Sequence, residues 1–284
     1  MFLFAIRNEH LLRKLRSRSF LGKFFTGRVE ELDSVRDEDT VDHLYKSFYV
    51  HNGTSKETRQ GRFAGVDEKT LSFLKRDSMN LIHDVGVSSG ITSLDLYDRL
   101  TAAGYPCALF VSDQFARFYW TGKTIRRIYD QNRVLARAYI LSLVVDGKLH
   151  WKHFISRYSY QLVKMLPNHN QAVGEVVLYD RRLRTLIEEG LVSEIEYDIF
   201  SGSGATQFDL VRCMNVLNRC YFSASQISRA CDNLKKSLRE GGILQVGRTN
   251  PEGVNNVSFF RKDKDRLCWI EDVNQGSEIK ELVN

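Results

Sequence analysis

From residue 80 onward, short apolar runs alternate with segments of helical spacing. The apolar runs are "NLIHDV", "CALFVSD", "EIEYDIF", "FDLVRCM" and "GILQVGRT", and each has the length and composition of a buried strand. Between the first two, residues 90–103 place apolar side chains at helical spacing and end before Gly104. Strands that alternate with helices predict a parallel sheet with helices on both of its faces.

The chain around the fifth apolar run has clear start and stop signals. "SASQISRACDNLKKSLREGG" combines a Ser N-cap, apolar positions at helical spacing and a Gly-Gly end, which predict a helix before that strand. After it, "NNVSFFRKDKDRLCWIEDV" predicts a hairpin that turns near residues 263–265. The parallel sheet is therefore expected to end in antiparallel strands.

Two regions depart from this alternation. Residues 29–80 look helical, with a loop at "GRFAG" before the helix-like "EKTLSFLKR". The second region lies between the second and third apolar runs, where "KTIRRIYDQNRVLARAYI" predicts a hairpin and "HWKHFISRYSYQLVKML" predicts an amphipathic helix. We therefore expect a helical N-terminal cap of residues 1–79, and a main domain of residues 80–284 with an insertion at about 119–175.

The positive charge of the protein is concentrated in one segment. Residues 1–28 hold seven of the 41 Lys and Arg residues and one of the 35 acidic residues, which accounts for the whole net charge of +6. This segment reads as a basic amphipathic arm, and the remainder is neutral, which argues against a broad nucleic-acid-binding face. The arm suits either docking on an anionic membrane surface or RNA, or the role of a solvated capping helix without such a partner.

Cysteine usage and hydropathy limit the compartment. The five cysteines form no C-x-x-C pair, which favours reduced thiols over a metal site or a disulfide framework. No apolar run approaches the roughly 18–20 residues that span a bilayer, and the N-terminus does not resemble a good signal peptide. We expect a cytoplasmic protein without a bound metal, with peripheral attachment to a membrane through the arm as an option.

The stretch "HDVGVSSG" is the clearest candidate for a binding site. A strand ending at Asp84 is followed by Gly86, Ser88 and Gly90 and then by a helix. Glycine lets the backbone pass close to a ligand, and exposed N–H groups at a helix start favour polar or anionic groups. This predicts a nucleotide-type site at the carboxyl ends of the strands. The three glycines of a dinucleotide fingerprint and the G-K-[ST] of a P-loop are absent.

This stretch resembles motif I of the class I S-adenosylmethionine-dependent methyltransferases, acid-x-G-x-G-x-G, with Ser88 in place of the middle glycine. The resemblance covers about residues 80–275 in order. It implies an α/β fold with a seven-stranded Rossmann-like sheet, parallel with a terminal antiparallel hairpin, beside the cap and the inserted hairpin and helix. It also implies S-adenosyl-L-methionine as cofactor, bound by Asp84, Gly86, Ser88 and Gly90.

Further residues follow from the same resemblance. In this family an acid at the end of the second strand binds the ribose hydroxyls. Asp113 in "LFVSDQF" fits that role, and Asp180 in "EVVLYDRRL" is the alternative. We favour Asp113 because it follows Gly90 by 23 residues, about one helix, whereas Asp180 reads as a helix N-cap. After the third strand, Asp198 matches the residue that approaches the adenine amino group.

The acceptor side is less well marked. Asn215, Arg219 and Tyr221 follow the fourth strand, where the family binds its acceptor, and they are expected to line that site. No residue stands out as a catalytic base, and His83 is expected to be a packed core histidine. We expect methyl transfer to a small or lipid-like acceptor. The alternatives are a macromolecular methyltransferase, acting on protein carboxylates or RNA, and a non-catalytic module that binds S-adenosylmethionine.

Overall fold

The computed structural model describes residues 3–16, 25–34, 41, 44–45, 58–122, 124–147, 153–166, 172–202 and 206–283. The chain forms two compact units. Unit 1 comprises Met1–Glu57 and Phe115–Tyr179, and unit 2 comprises Thr58–Gln114 and Asp180–Asn284. Each unit therefore combines two separate segments of the sequence.

The described residues form fourteen strands and six α-helices. The strands are β1 (Phe4–Ala5), β2 (Phe25–Thr26), β3 (Asn80–Val85), β4 (Cys107–Ser112), β5 (Arg117–Thr121), β6 (Ile125–Tyr129), β7 (Leu135–Ile140), β8 (Leu143–Val145), β9 (Gly174–Val177), β10 (Val192–Glu194), β11 (Phe208–Met214), β12 (Leu238–Thr249), β13 (Asn255–Asp263) and β14 (Arg266–Val273). The helices are α1 (Glu9–Arg16), α2 (Ala64–Leu71), α3 (Ile91–Ala102), α4 (Phe154–Met165), α5 (Arg181–Glu188) and α6 (Ala224–Lys236), with 3-10 turns at Val29–Ser34 and Lys280–Leu282.

The sheet of unit 2 has the order β10-β4-β3-β11-β12-β13-β14. The pairings from β10 to β12 are parallel, and β13 and β14 add to the edge in antiparallel fashion. Strands β3 and β11 are largely buried along their whole length, as expected for parallel strands covered on both faces. Helix α6 begins with a capping box between Ser223 and Gln226 and buries Ile227 and Leu234 in the core cluster of this unit.

The sheet of unit 1 has the order β2-β1-β8-β7-β6-β5-β9, and only the β1–β2 pairing is parallel. The predicted hairpin is β6–β7, and its turn is closed by Asp130, whose Oδ1 accepts a hydrogen bond of 2.8 Å from the Val134 N–H. Phe118 and Tyr139 lie in the core on this sheet. Helix α4 packs Val163 against β7 and β8.

Several predicted elements are confirmed. The sequence pattern correctly placed strands β3 and β11 and the terminal hairpin. It also placed helix α3 to within one residue at each end. Two differ in extent. The helix near residue 68 is Ala64–Leu71, and α6 ends at Lys236. The strand predicted at "EIEYDIF" is wrong apart from Glu194, because the third strand is Val192–Glu194 and residues 195–200 form a loop in which Asp198 Oδ1 accepts a hydrogen bond from the Phe200 N–H. Helix α6 ends early because Leu238 already pairs with Phe208 at the start of β12, before the two glycines are reached.

The predicted α/β fold class is confirmed. The finer prediction of one parallel sheet beside a helical cap is not confirmed, because the observed sheets are mixed. Among the described residues, seven strand pairings are antiparallel and five are parallel. The described part of the arm contributes β1 and β2 as well as α1, and the insertion holds β5–β9 as well as a helix. Strands of two residues have no periodicity to detect, which explains why the sequence did not predict them.

The domain boundaries at residues 79 and 119–175 stay a prediction. The chain leaves unit 2 after Gln114 and re-enters it at Asp180. Parts of the predicted arm and cap, residues 1–2, 17–24, 35–40, 42–43 and 46–57, lie outside the described residues. In the described ranges, none of the helices has both the length and the apolar character that crossing a bilayer requires.

Candidate functional site

The glycine turn joins β3 to α3 in unit 2 through three left-handed backbone positions. The φ angles are +73° at Gly86, +59° at Ser88 and +81° at Gly90. A Cβ on Gly86 would lie 2.3 Å from Cγ2 of Val216, and a Cβ on Gly90 would lie 2.1 Å from Cδ2 of Leu183. Glycine is therefore required at both positions, by the backbone conformation and by the close packing of the neighbouring side chains.

Asp113 holds its carboxylate against this turn. It follows β4, the parallel neighbour of β3, and its Oδ2 accepts a hydrogen bond of 2.7 Å from the Ser88 N–H. The carbonyl oxygen of Ser112 also accepts bonds from the N–H groups of Gly86 (2.8 Å) and Val87 (3.2 Å). The end of the second strand in the sequence of unit 2 is thereby fixed to the turn, with a half-buried acid beside it.

Asp180 reaches the same turn in a different way. Its main-chain N–H donates to the Ser89 carbonyl at 2.7 Å, while its side chain caps α5 by accepting a bond of 2.8 Å from the Arg182 N–H. The helix N-cap predicted for Asp180 is thus confirmed. The strand "EVV" before it is part of β9, which belongs to the sheet of unit 1 and does not pair with β3 or β4. The strand that follows β3 in the sheet of unit 2 is therefore β4.

Asp84 lies in the core of unit 2, only 3 % exposed. Its Oδ2 accepts hydrogen bonds of 2.6 Å from both the Ser93 hydroxyl and Nη2 of Arg212. Nη1 of Arg212 in turn donates to Oδ1 of Asp67 at 2.8 Å. The sequence had suggested Asp84 as a cofactor-binding residue, and that role stays a prediction. The observed contacts instead fix the end of β3 to α3 and β11.

Arg212 is the residue of this region that the sequence reasoning missed. It occupies the middle of β11, is fully buried, and is paired with two buried carboxylates. Burial raises the pKa of Asp67 to about 6, although the Arg212 guanidinium acts against this rise. An arginine inside the otherwise apolar "LVRCM" was the available signal, because a buried cation requires an acidic partner.

A second feature missed from the sequence is the segment of residues 58–63, the covering segment. Thr58 Oγ1 shares a hydrogen bond with the Ser89 hydroxyl, and the Gly61 N–H donates to Asp95 of α3 at 2.7 Å. Arg62 Nε donates to Oγ1 of Thr249, at the end of β12, at 3.0 Å. The segment therefore runs from the glycine turn to the end of β12, along the carboxyl edge of the sheet, where ligands of open α/β sheets bind.

The structure does not join the remaining predicted residues to the turn. Asp198 lies beyond the end of β10 and accepts bonds from its own loop, at 2.9 Å from the Phe200 N–H and 2.7 Å from the Ser201 hydroxyl. Asn215 Oδ1 accepts from the Thr249 N–H at 2.7 Å, so its side chain bridges the ends of β11 and β12. Their contacts with a cofactor or acceptor stay predictions.

Two residues beyond β11 are more open to solvent. Arg219 is half exposed and its Nη2 lies 4.0 Å from a carboxylate oxygen of Glu281, while Tyr221 is 51 % exposed. Both remain candidates for contact with an acceptor.

His83 is a core residue, as predicted. It is fully buried, its Nε2 lies 2.9 Å from the Ser112 hydroxyl, and the ring of Tyr197 packs edge-on against it at 4.9 Å. Burial lowers its pKa to about 4. Because it is enclosed, His83 is unsuited to taking a proton from an acceptor. Two histidines of the insertion, His150 and His169, lie outside the described residues.

The turn fits the ribose end of a nucleoside-type cofactor. The hydroxyl of Ser88 is buried and has no hydrogen-bond partner among the described residues, so it could pair with a polar ligand group. The Asp113 carboxylate beside it is suited to accept bonds from two neighbouring hydroxyls. Within the described ranges, no group of three His, Cys, Asp or Glu residues could hold a metal ion.

Comparison with known proteins gives matches only among solved structures. No protein-family model and no curated protein sequence matches the chain. A protein-L-isoaspartate O-methyltransferase from Plasmodium falciparum, solved with S-adenosyl-L-homocysteine, is 12% identical with a TM-score of 0.39, over 96% of this chain and 98% of that one. An S-adenosylmethionine-dependent methyltransferase from Clostridium acetobutylicum ATCC 824 is 10% identical with a TM-score of 0.38, over 86% and 83%.

A third similar structure is the N-methyltransferase NodS from Bradyrhizobium japonicum WM9, solved with S-adenosyl-L-homocysteine. It is 16% identical with a TM-score of 0.31, over 66% of this chain and 62% of that chain, so the match spans less than two thirds of its length. All three are described as methyltransferases, the class whose motifs the sequence resembles.

Proposed function

We propose that this chain is an S-adenosylmethionine-dependent methyltransferase that acts on a small or lipid-like acceptor. The observation that carries the proposal is the hydrogen bond between the Ser88 N–H and the Asp113 carboxylate. It brings the acid that follows β4 onto the glycine turn that follows β3. The motif resemblance requires this arrangement for ribose binding.

The residues of unit 2 would then divide the work of binding and positioning. Asp113 would accept hydrogen bonds from the ribose hydroxyls. The turn would border the cofactor through its backbone, because the Cβ positions of Gly86 and Gly90 are filled by Val216 and Leu183. Bound S-adenosylmethionine supplies a methyl group on a sulfonium centre, so the protein need only align the acceptor and exclude water. The covering segment, residues 58–63, is placed to contribute to that exclusion.

The test is the affinity of S-adenosyl-L-homocysteine measured by calorimetry. A carboxylate that accepts two hydrogen bonds contributes roughly 1.5–3 kcal/mol for each, so Asp113→Asn should weaken binding by about two orders of magnitude. Asp180→Asn is the matched control, because Asp180 contacts the same turn only through its main chain, and it should change the affinity less than about threefold. Circular dichroism checks that both variants remain folded.

Two outcomes would contradict the proposal. One is a folded wild-type protein that does not bind S-adenosyl-L-homocysteine at all. The other is the reverse ranking of the two variants, which would make Asp180 the ribose ligand. Binding without transfer of a radioactive methyl group to lipid, small-molecule, protein or RNA acceptors would instead support a non-catalytic module.

Helix α4 of unit 1 supports a lipid-like acceptor. Phe154, Tyr158, Leu162 and Met165 are spaced along one side of the helix and are 62 %, 73 %, 55 % and 82 % exposed. The helix sequence "FISRYSYQLVKM" contains no acidic residue and carries two basic residues. An exposed apolar stripe beside basic side chains is the pattern of a helix that lies on an anionic phospholipid surface.

Two basic residues of the arm form ion pairs within unit 1. Arg7 pairs with Glu31 at 3.3 Å and Arg28 with Glu30 at 3.6 Å, so part of its charge is used inside unit 1. Deleting residues 1–28 would also remove β1 and β2 from the sheet, and truncation is therefore a poor test of docking. We propose that α4 and the exposed basic residues of α1 together meet the membrane.

Vesicle sedimentation tests this docking. The wild type should bind vesicles that contain phosphatidylserine and not vesicles of phosphatidylcholine alone. Leu162→Glu should abolish binding, whereas Leu191→Glu, a change at a similarly exposed leucine of unit 2, should not. Equal binding of the wild type and Leu162→Glu, or a salt-dependent preference for RNA over vesicles, would contradict membrane docking.

A further inference from the structure

Unit 1 contains a cavity of about 380 Å³ whose described lining residues all belong to this unit. Its walls come from the start of the chain, from β6 and β7 and from the turn between β7 and β8. Three arginines line it, Arg7, Arg28 and Arg126, together with the ring of Tyr139 and the apolar side chains of Ile6 and Leu141. It is built from other residues than the glycine turn, so it does not depend on the function proposed above.

The positive charge of the cavity's three arginines exceeds the negative charge of their described acidic partners. Arg28 and Arg126 share one carboxylate oxygen, Glu30 Oε1, at 3.6 Å and 2.8 Å. The third arginine, Arg7, pairs with Glu31 at 3.3 Å. Among the described residues, three guanidinium groups therefore face two carboxylates.

Two of these arginines also have hydrogen-bond donors to spare. The side chains of Arg28 and Arg126 are only 7 % and 15 % exposed. The Nε atom of each is buried and has no hydrogen-bond partner among the described residues. A ligand in the cavity would therefore meet the more accessible part of each guanidinium, where the excess of positive charge favours an anionic group.

The rest of the lining indicates what kind of molecule would bring that acceptor. The guanidinium of Arg28 lies over the ring of Tyr139, 5.3 Å from its centroid, which holds it in place beside an apolar surface. The volume is within the range of small-molecule sites, and the forked geometry of arginine matches phosphate and carboxylate oxygens. An inorganic ion would leave the apolar walls without contacts.

We propose that this cavity binds a small organic anion, whose phosphate or carboxylate group is held by Arg28 and Arg126 and whose apolar body rests against Ile6 and Leu141. Arg7, at the more exposed side, adds long-range attraction rather than a fixed contact. Its side chain is 62 % exposed, and its contribution should accordingly be smaller and more sensitive to salt.

Calorimetric titration of the full chain tests the proposal with two probes of similar shape, phenyl phosphate and benzoate, at an ionic strength matched with chloride. The wild type should bind at least one probe with saturable 1:1 stoichiometry, and the better probe identifies the oxyanion. Arg126→Gln should weaken that binding at least about tenfold and Arg7→Gln about threefold. Arg266→Gln, the same change at an exposed position of unit 2, should leave it unchanged.

The design separates loss of the site from loss of the fold. If Arg126→Gln fails to fold, Arg7→Gln and the charge-conserving Arg126→Lys decide, because Arg126→Lys should weaken binding and Arg7→Gln acts at an exposed residue. Absence of saturable binding to the wild type would overturn the proposal, and so would affinities that the Arg126 and Arg7 variants do not change. In either case the affinity for S-adenosyl-L-homocysteine should stay unchanged, which distinguishes this result from failure of the proposed function.

Discussion

Two buried groups of unit 2 should give the stability of this protein pH dependences of opposite sign. Burial lowers the pKa of His83 from 6.5 to about 4, with the charge of Asp84 acting in the opposite direction. Burial also raises the pKa of Asp67 from 3.8 to about 6, against the effect of Arg212. Both groups are fully buried, so both shifts should affect the free energy of unfolding.

The signs follow from which state binds the proton. Between pH 4 and 6.5 the unfolded chain protonates His83 and the folded chain does not, so stability is lost as the pH falls through this window. Between pH 3.8 and 6 the folded chain keeps the proton on Asp67 and the unfolded chain releases it, so stability is lost as the pH rises. At 1.36 kcal/mol per pKa unit, each effect amounts to about 3 kcal/mol over its window.

Single substitutions should therefore separate the two slopes, which oppose each other in the wild type. As the pH rises from 4 to 6.5, the free energy of unfolding of His83→Gln should fall by about 3 kcal/mol, because only the Asp67 effect remains. That of Asp67→Asn should rise by about as much, because only the His83 effect remains. Urea unfolding at several pH values measures both. Trp269, in β14, reports on unit 2 once Trp120 and Trp151 have been replaced by Phe.

Comparison of slopes, not of absolute stabilities, makes the test robust. Whatever each substitution does to packing is nearly independent of pH, and the other titrating groups are common to all three proteins. Parallel pH profiles for the wild type and both variants would refute the reasoning. Slopes of the opposite sign would show that burial does not govern the ionisation of these two residues.

Two further predictions concern packing. Gly90→Ala should destabilise the protein by about 2–5 kcal/mol, because it combines a left-handed backbone with a Cβ 2.1 Å from Leu183. Gly104→Ala, where φ is +73° and no atom lies within 4 Å of the new Cβ, should cost only about 1–2 kcal/mol. Equal melting temperatures of the two variants would contradict this. Arg137→Met should lower the free energy of unfolding by about 3–5 kcal/mol, because it removes the buried guanidinium that lies 2.9 Å from the Asp146 carboxylate. Adding Asp146→Leu should recover most of that stability, as measured by chemical denaturation.

The sequence by itself determined the features that depend on neighbours along the chain. Strand β3, the left-handed glycine turn and helix α3 follow from apolar periodicity and from the freedom of glycine, which are local properties. The position of Asp113 was also within reach, because one helix of known length separates it from the turn. The Ser223 cap of α6 was predicted from the same kind of local signal.

Only the tertiary structure decided which distant residues meet. The pairing of Phe4 with Leu143 in unit 1 joins residues far apart in the sequence, and a strand of two residues leaves no periodic signal. Arg212 finds Asp67 and Asp84 only when β11 lies beside β3 and α2 packs nearby. The energy of a buried charge is set by groups that folding brings within a few ångströms, and the order of residues along a chain does not specify those distances.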